Sequence, residues 1–204
     1  MSPSRLETFA DGVFAIAATL LILNVDAQVG TGEGALGHKL LEIWPSYIGY
    51  AVSFVTIGII WSNHHTVMNQ LARVDRTFLM LNVFLLLCVA FLPFPTRLVA
   101  EHLRDRHDLE PAALAYGATM TVMSISYISL WFYAIRGNRL LRADSNPRTV
   151  SGITRSYLPG SPLYLTATLI ALASPLASVA LFGAIALFYV IESSFFGRAT
   201  PETG

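Results

Sequence analysis

The chain has 204 residues, 13 basic and 13 acidic side chains, and no formal net charge. Hydrophobic types make up 54% of it, charged types only 13%, and mean hydropathy is +0.57. Soluble domains carry about 25% charge and cannot hide this much apolar surface in one core, which excludes an ordinary cytosolic enzyme, a disordered chain and a nucleic-acid binder relying on net basicity. The composition points to a bilayer. The single cysteine, Cys88, lies in the apolar run 79–92, so an intrachain disulfide is impossible and no Cys-based metal motif exists.

A membrane helix needs ~20 mostly apolar residues to cross ~30 Å of hydrocarbon. In chain order the predicted spans are 5–25, 40–61, 78–99, 112–135, 163–176 and 177–196. Val25-Asp26-Ala27 loosely fits a signal-peptide cleavage site, but the first span starts with one basic residue and carries Glu7 and Asp11, which argues for retention. Residues 27–37 hold four glycines and read as a flexible loop or short turn. Pro93 and Pro95 interrupt the third span near its end, where a helix terminus or kink is expected. Residues 101–110 are dense in charge of both signs and read as a solvated loop, whereas 137–148 are basic and end in the turn signal Asn146-Pro147. Only Ser174-Pro175 separates the last two spans, and one long kinked helix is the competing reading there. Trp44, Tyr47, Trp131 and Tyr133 sit near span ends, where amphipathic aromatics favour the interface. No internal repeat is evident, and residues 1–204 read as a single membrane domain.

With six spans, one side holds both termini, 66–77 and 136–158. That side carries Arg5, Arg73, Arg76, Arg136, Arg139, Arg142, Arg148, Arg155 and Arg198, against Lys39, Arg97, Arg104 and Arg106 on the other. The positive-inside rule therefore places both termini in the cytoplasm.

The first span is the most informative. At 100° per residue Arg5, Phe9, Gly12, Ile16, Leu20 and Leu23 fall on one stripe, with Thr19 at its edge. Asp11 lies about 140° round from Ile16. A lipid-exposed charge costs at least ~2.5–3.5 kcal/mol, so this acid must face protein or water. Periodicity alone fits the Ile/Leu stripe equally to lipid contact or to core packing.

Arg5, Phe9, Ala10, Asp11, Gly12 and the following Val13-Phe14-Ala15-Ile16-Ala17, with Thr19-Leu20-Leu21, resemble the R-x-x-x-F-S-D signature that opens the first helix of the endosomal/lysosomal transmembrane potassium channel family and its bacterial homologues. Trp61 with His64 and His65, then Asn82 with Phe84 and Leu85, then Phe91-Leu92-Pro93-Phe94-Pro95-Thr96 extend the resemblance in order. Ala10 departs from it, standing where the family usually has serine. The resemblance implies an all-α integral membrane protein with six transmembrane helices per subunit. Three further copies would complete a homotetramer whose first helices line a central pore. It implies a potassium-preferring cation channel, not an enzyme, in the bacterial inner membrane. Potassium ions and membrane lipid are then its partners, with no nucleic acid and no cofactor. The constriction of such a channel is hydrophobic and maps onto Ile16, Leu20 and Leu23, with Thr19 adjacent. No Thr-Val-Gly-Tyr-Gly filter occurs.

Arg5, Phe9, Asp11, His64, His65 and Asn82 form the remaining polar motif set, for which the resemblance implies a structural network at the cytoplasmic half of the first helix. His64, His65 and Asn82 are the expected partners of Asp11. The alternative function is a proton-coupled secondary transporter using Asp11 and His64/His65. A third class, a membrane enzyme, would need Asp11, the histidines and Glu192 to gather around a metal.

Overall fold

The computed structural model describes residues 2–25 and 35–196, with the side chains of Ala35, Arg106 and residues 192–196 outside that description. Most of the glycine-bearing connection at 27–37 thus lies outside the described residues. The elements in order are α1 (Pro3–Leu20), ending in a 3-10 turn (Leu21–Asn24), α2 (Ala35–Glu42), α3 (Trp44–Asn69), α4 (Arg76–Phe91), α5 (Pro93–His102), α6 (Arg106–Ile135), a second 3-10 turn (Arg136–Asn138), α7 (Pro147–Tyr157), α8 (Gly160–Ile170) and α9 (Pro175–Phe196). Proline opens α1, α3, α5, α7 and α9 from the first or second position. There its missing N–H removes nothing, because the first helical N–H groups have no intrahelical acceptor.

Pro3–Asn24, Trp44–Asn69, Arg76–His102 and His107–Asn138 are long and apolar enough to cross a membrane. Each overlaps one of the first four predicted spans. The third is broken at Leu92, where Pro93 and Pro95 follow, so the expected interruption divides it into α4 and α5. The turn at Ser174-Pro175 is also present, and it leaves α8 only 11 residues long. At 1.5 Å per residue that helix reaches about 16 Å, roughly half the hydrocarbon thickness. Four helical stretches of spanning length are therefore evident among the described residues, beside the shorter apolar Pro175–Ile191. Asn146-Pro147 does not merely turn the chain: the Asn146 carboxamide accepts from the Arg148 N–H (2.9 Å) and caps α7.

α6 is the hub, packing on α4, α5, α8 and α9, while α1 lies against α3 and α4. Gly117 of α6 allows the close approach of α8, since a Cβ there would sit 2.6 Å from Thr168 Oγ1. The core includes Leu6, Phe14, Phe78, Leu85, Leu130 and Trp131. Trp131 is fully buried and its indole N–H donates to Thr154 Oγ1 (2.9 Å), so it is a core residue and not an interfacial one. Trp44 and Tyr47 remain exposed.

Asp75 fixes the start of α4. Its Oδ1 accepts from the Phe78 N–H (2.9 Å) and its Oδ2 accepts from the Tyr133 hydroxyl (2.7 Å), tying α4 to α6. The Phe78 N–H, more than the Tyr133 hydroxyl or nearby Arg139, holds this carboxyl below the usual carboxylate range, against an opposing effect of burial. A depressed folded pKa stabilises the fold above the unfolded value of about 3.9, and that contribution is lost as pH falls through the folded value. Asp75→Ala should cost about 1 kcal/mol at neutral pH, in line with other N-caps. Thermal melts of both proteins in detergent check this: the gap should be full at neutral pH and should close in acid below the ordinary carboxylate pKa.

Candidate functional site

α1 has two apolar faces with different fates. Leu6, Ala10, Phe14, Ala17 and Leu21 recur every three or four residues and are buried against the rest of the subunit. Ile16 lies about 200° round from Phe14 and is 61% exposed, with Leu20 at 43% and Leu23 at 67%. The predicted stripe is thus the face that this subunit leaves uncovered, and core packing within one subunit is ruled out for it. The 3-10 turn after Leu20 matters here, because residues three apart eclipse in that geometry. Leu23 is brought into line with Leu20, where a continuing α-helix would set them about 60° apart. Ile16, Leu20 and Leu23 form a file about 12 Å long.

Polar groups share this uncovered half. Arg5, Asp11 and Thr19 are all exposed, as is Phe9. The Thr19 hydroxyl donates back into its own helix, 3.0 Å from both the Ala15 and Ile16 carbonyl oxygens. Its proton is occupied, which leaves the oxygen lone pairs facing outward.

The motif residues pair differently from the expected network. Asp11 Oδ1 accepts from the Trp61 indole N–H (2.8 Å) and has no hydrogen bond to either histidine or to Asn82. His64 Nε2 donates instead to Asn82 Oδ1 (2.7 Å), and both residues are fully buried. The Phe14 ring packs on the His64 ring with centroids 5.4 Å apart, which joins this pair to α1. His65 points elsewhere, its Nδ1 lying 2.7 Å from Glu7 Oε1. The structure therefore ties α1 to α3 at three levels: Glu7 to His65, Asp11 to Trp61, and Phe14 to His64. The chemical reason for the missed partner is plain. Trp61 stands in the motif beside the histidines, and its indole N–H is a donor that a membrane carboxylate can use.

Arg5 and Phe9 remain exposed and take no part in these pairs. The side chain of Glu192 lies outside the described residues. At the C-terminal end of α1 the Asn24 amide donates to the Pro93 carbonyl (2.8 Å), a contact that no sequence pattern announced.

Comparison with known proteins bears directly on this helix. The family model described as endosomal/lysosomal potassium channel TMEM175 matches residues 5–93, which contain Arg5, Phe9, Asp11, Trp61, His64, His65 and Asn82. The chain is 41% identical over 186 residues to "Potassium channel B446_29190" of Streptomyces collinus, covering 91% of this chain and 90% of that one. It is 35% identical over 148 residues to the "Endosomal/lysosomal proton channel TMEM175" of Gallus gallus, spanning 68% of this chain and 29% of that longer protein. The crystal structure of a lysosomal potassium-selective channel TMEM175 homolog from Chamaesiphon minutus superposes with a TM-score of 0.84 at 34% identity. That match covers 94% of this chain and 97% of the other. A pairing of α1 with α3 and α4, an uncovered Ile/Leu file and these matches agree: the chain belongs to the TMEM175 channel family.

Proposed function

We propose that the chain is a potassium-preferring cation channel conducting passively across the membrane. Its subunit is one six-span domain over residues 1–204, and four copies surround a pore lined by α1, with Ile16, Leu20 and Leu23 as the constriction. The observation that carries this reading is the company kept by that file. Arg5 and Thr19 stand on the same uncovered face of a membrane helix, where lipid contact would be expensive and a watery axis would not. Four Ile or Leu side chains converging on an axis can dewet the path and block ions without any charged gate. Dehydration costs less for potassium than for sodium, so the constriction favours potassium modestly, and four outward Thr19 oxygens sharpen that preference. Both termini are cytoplasmic and the host membrane is the bacterial inner membrane. No cofactor is required, and the channel relatives leave the enzyme reading without support.

The test is purified protein in a planar bilayer with asymmetric potassium and sodium. Currents should reverse close to the potassium equilibrium potential and should not saturate like a carrier. Slow, saturable flux that requires a proton gradient would overturn the channel reading in favour of the transporter. The avian relative named a proton channel favours a second reading, in which protons also permeate. A pH gradient at fixed potassium measures that contribution as a shift in the reversal potential.

A further inference from the structure

The arginine-rich end of the subunit is built, not merely decorated. After α6 the chain reverses through two consecutive left-handed residues, Gly137 (φ 64°) and Asn138 (φ 54°). The returning segment is stitched to the α3–α4 connection. Leu71 and Leu141 form an antiparallel bridge, the Ala72 N–H donates to the Leu140 carbonyl (2.8 Å), and the Arg142 N–H donates to the Gln70 carbonyl (2.9 Å). Arg73 Nε then donates to the Arg139 carbonyl (2.8 Å), and the Arg139 guanidinium lies 5.3 Å from the Tyr133 ring centre. Beside this scaffold is a cavity of about 720 Å³ lined by Arg73, Arg139, Arg142, Ser145, Val150 and Ser151, among others.

α7 closes the other wall. Val150, Ile153 and Tyr157 face the core, and the Tyr157 hydroxyl donates to the Asn63 carbonyl (3.3 Å). Arg148, Thr149, Ser151, Arg155 and Ser156 are exposed on the opposite side, followed by an exposed Leu158. A short helix with this division, between a membrane-crossing helix and an apolar one, is of the kind that suits the plane of a membrane interface. The nearby acids compensate the cluster only in part. Asp144 pairs with Arg142 at 3.1 Å, and Asp75 is committed to the Phe78 N–H and the Tyr133 hydroxyl. Among the described residues Arg73, Arg136, Arg139, Arg148 and Arg155 form no ion pair.

We propose that this cavity, between the stitched loops and α7, binds the phosphodiester headgroup of an anionic phospholipid, with Arg73 and Arg139 on the stitched wall and Ser151 on the α7 wall. Charge complementarity selects the occupant: a rigid basic pocket at headgroup level meets a surface that supplies phosphate anions at high local concentration. Leu158 gives the acyl chains an apolar neighbour. Arginines serving only to orient the chain would work as well scattered on mobile loops, whereas these are held around one volume.

Thermal unfolding of the purified protein in neutral detergent tests the site, with phosphatidylglycerol, phosphatidylcholine or soluble glycerol 3-phosphate added. Phosphatidylglycerol should raise the melting temperature more than phosphatidylcholine does, and the difference should shrink at high salt. Arg73→Gln and Arg139→Gln should each weaken the apparent lipid affinity about fivefold. Arg139→Lys should retain most of it, and Arg104→Gln, at the opposite end, should leave it unchanged. Equal protection by the two lipids would overturn the proposal, and that comparison needs no variant to fold. Protection by glycerol 3-phosphate matching phosphatidylglycerol would overturn the lipid as ligand, and an Arg104→Gln loss equal to that of Arg139→Gln would overturn the site.

Discussion

Ile16→Asn is expected to raise potassium conductance about tenfold or more and to reduce the preference for potassium over sodium. The first effect follows if the amide removes ~1.4 kcal/mol or more from the barrier at a dewetted constriction. Four carboxamides around an axis hydrogen-bond to water, so the path wets without any movement of α1. The loss of preference follows from the same change, because an ion that keeps its water no longer reports its dehydration cost. Ile16 is exposed within the subunit and makes no core contact, so the substitution should leave folding within about 0.5 kcal/mol. Single-channel recording of both proteins in planar bilayers makes the comparison. Unchanged conductance and unchanged selectivity would remove Ile16 from the constriction and shift attention to Leu20 and Leu23.

Asn82→Leu should have the largest effect on stability, about 2–3 kcal/mol in detergent. Leucine has the same number of side-chain heavy atoms as asparagine and is somewhat larger, so none of that figure comes from a cavity. It comes from leaving the His64 Nε2–H without its acceptor at a fully buried position. The sign of the double substitution is the sharper check. His64→Leu with Asn82→Leu removes both polar partners and should recover part of the loss, since an apolar pair leaves nothing unsatisfied. Denaturant unfolding of the two single variants and the double gives the coupling. If Asn82→Leu costs less than 0.5 kcal/mol, the pair is not a stabilising contact. Phe14 rests on the His64 ring, so a destabilised pair should also loosen α1.

Much of α1 was legible beforehand because a 3.6-residue period survives in a helix whose two faces meet different surroundings. The buried face needed small and large apolar residues in alternation, and the uncovered face kept its own Ile/Leu file. The breaks at Leu92 and Ser174 were legible for a backbone reason, since proline cannot continue a ladder of hydrogen bonds. What failed was partner choice. Asp11, His64, His65 and Asn82 were expected to converge, and adjacent histidines 100° apart instead serve two different partners, Asn82 and Glu7. No periodicity distinguishes these pairings, because they depend on how α1, α3 and α4 rotate against one another. Trp131 was misplaced for a related reason. An aromatic near a span end reads as interfacial, yet α7 folds back over it and supplies Thr154 as an acceptor. α7 itself escaped notice because its inward face holds few apolar residues, Val150, Ile153 and Tyr157, while the rest is polar.

The bond from the Asn24 amide to the Pro93 carbonyl anchors the C-terminal end of α1. It joins the last turn of α1 to the point where α4 gives way to α5. The C-terminal tip of α1 is thereby tied to α5, and α5 is in turn held by the Ser53–Thr96 hydroxyl pair (2.9 Å) to α3. Ile16 lies between this attachment and the Glu7–His65 contact, so the Ile/Leu file belongs to a helix held near both of its ends.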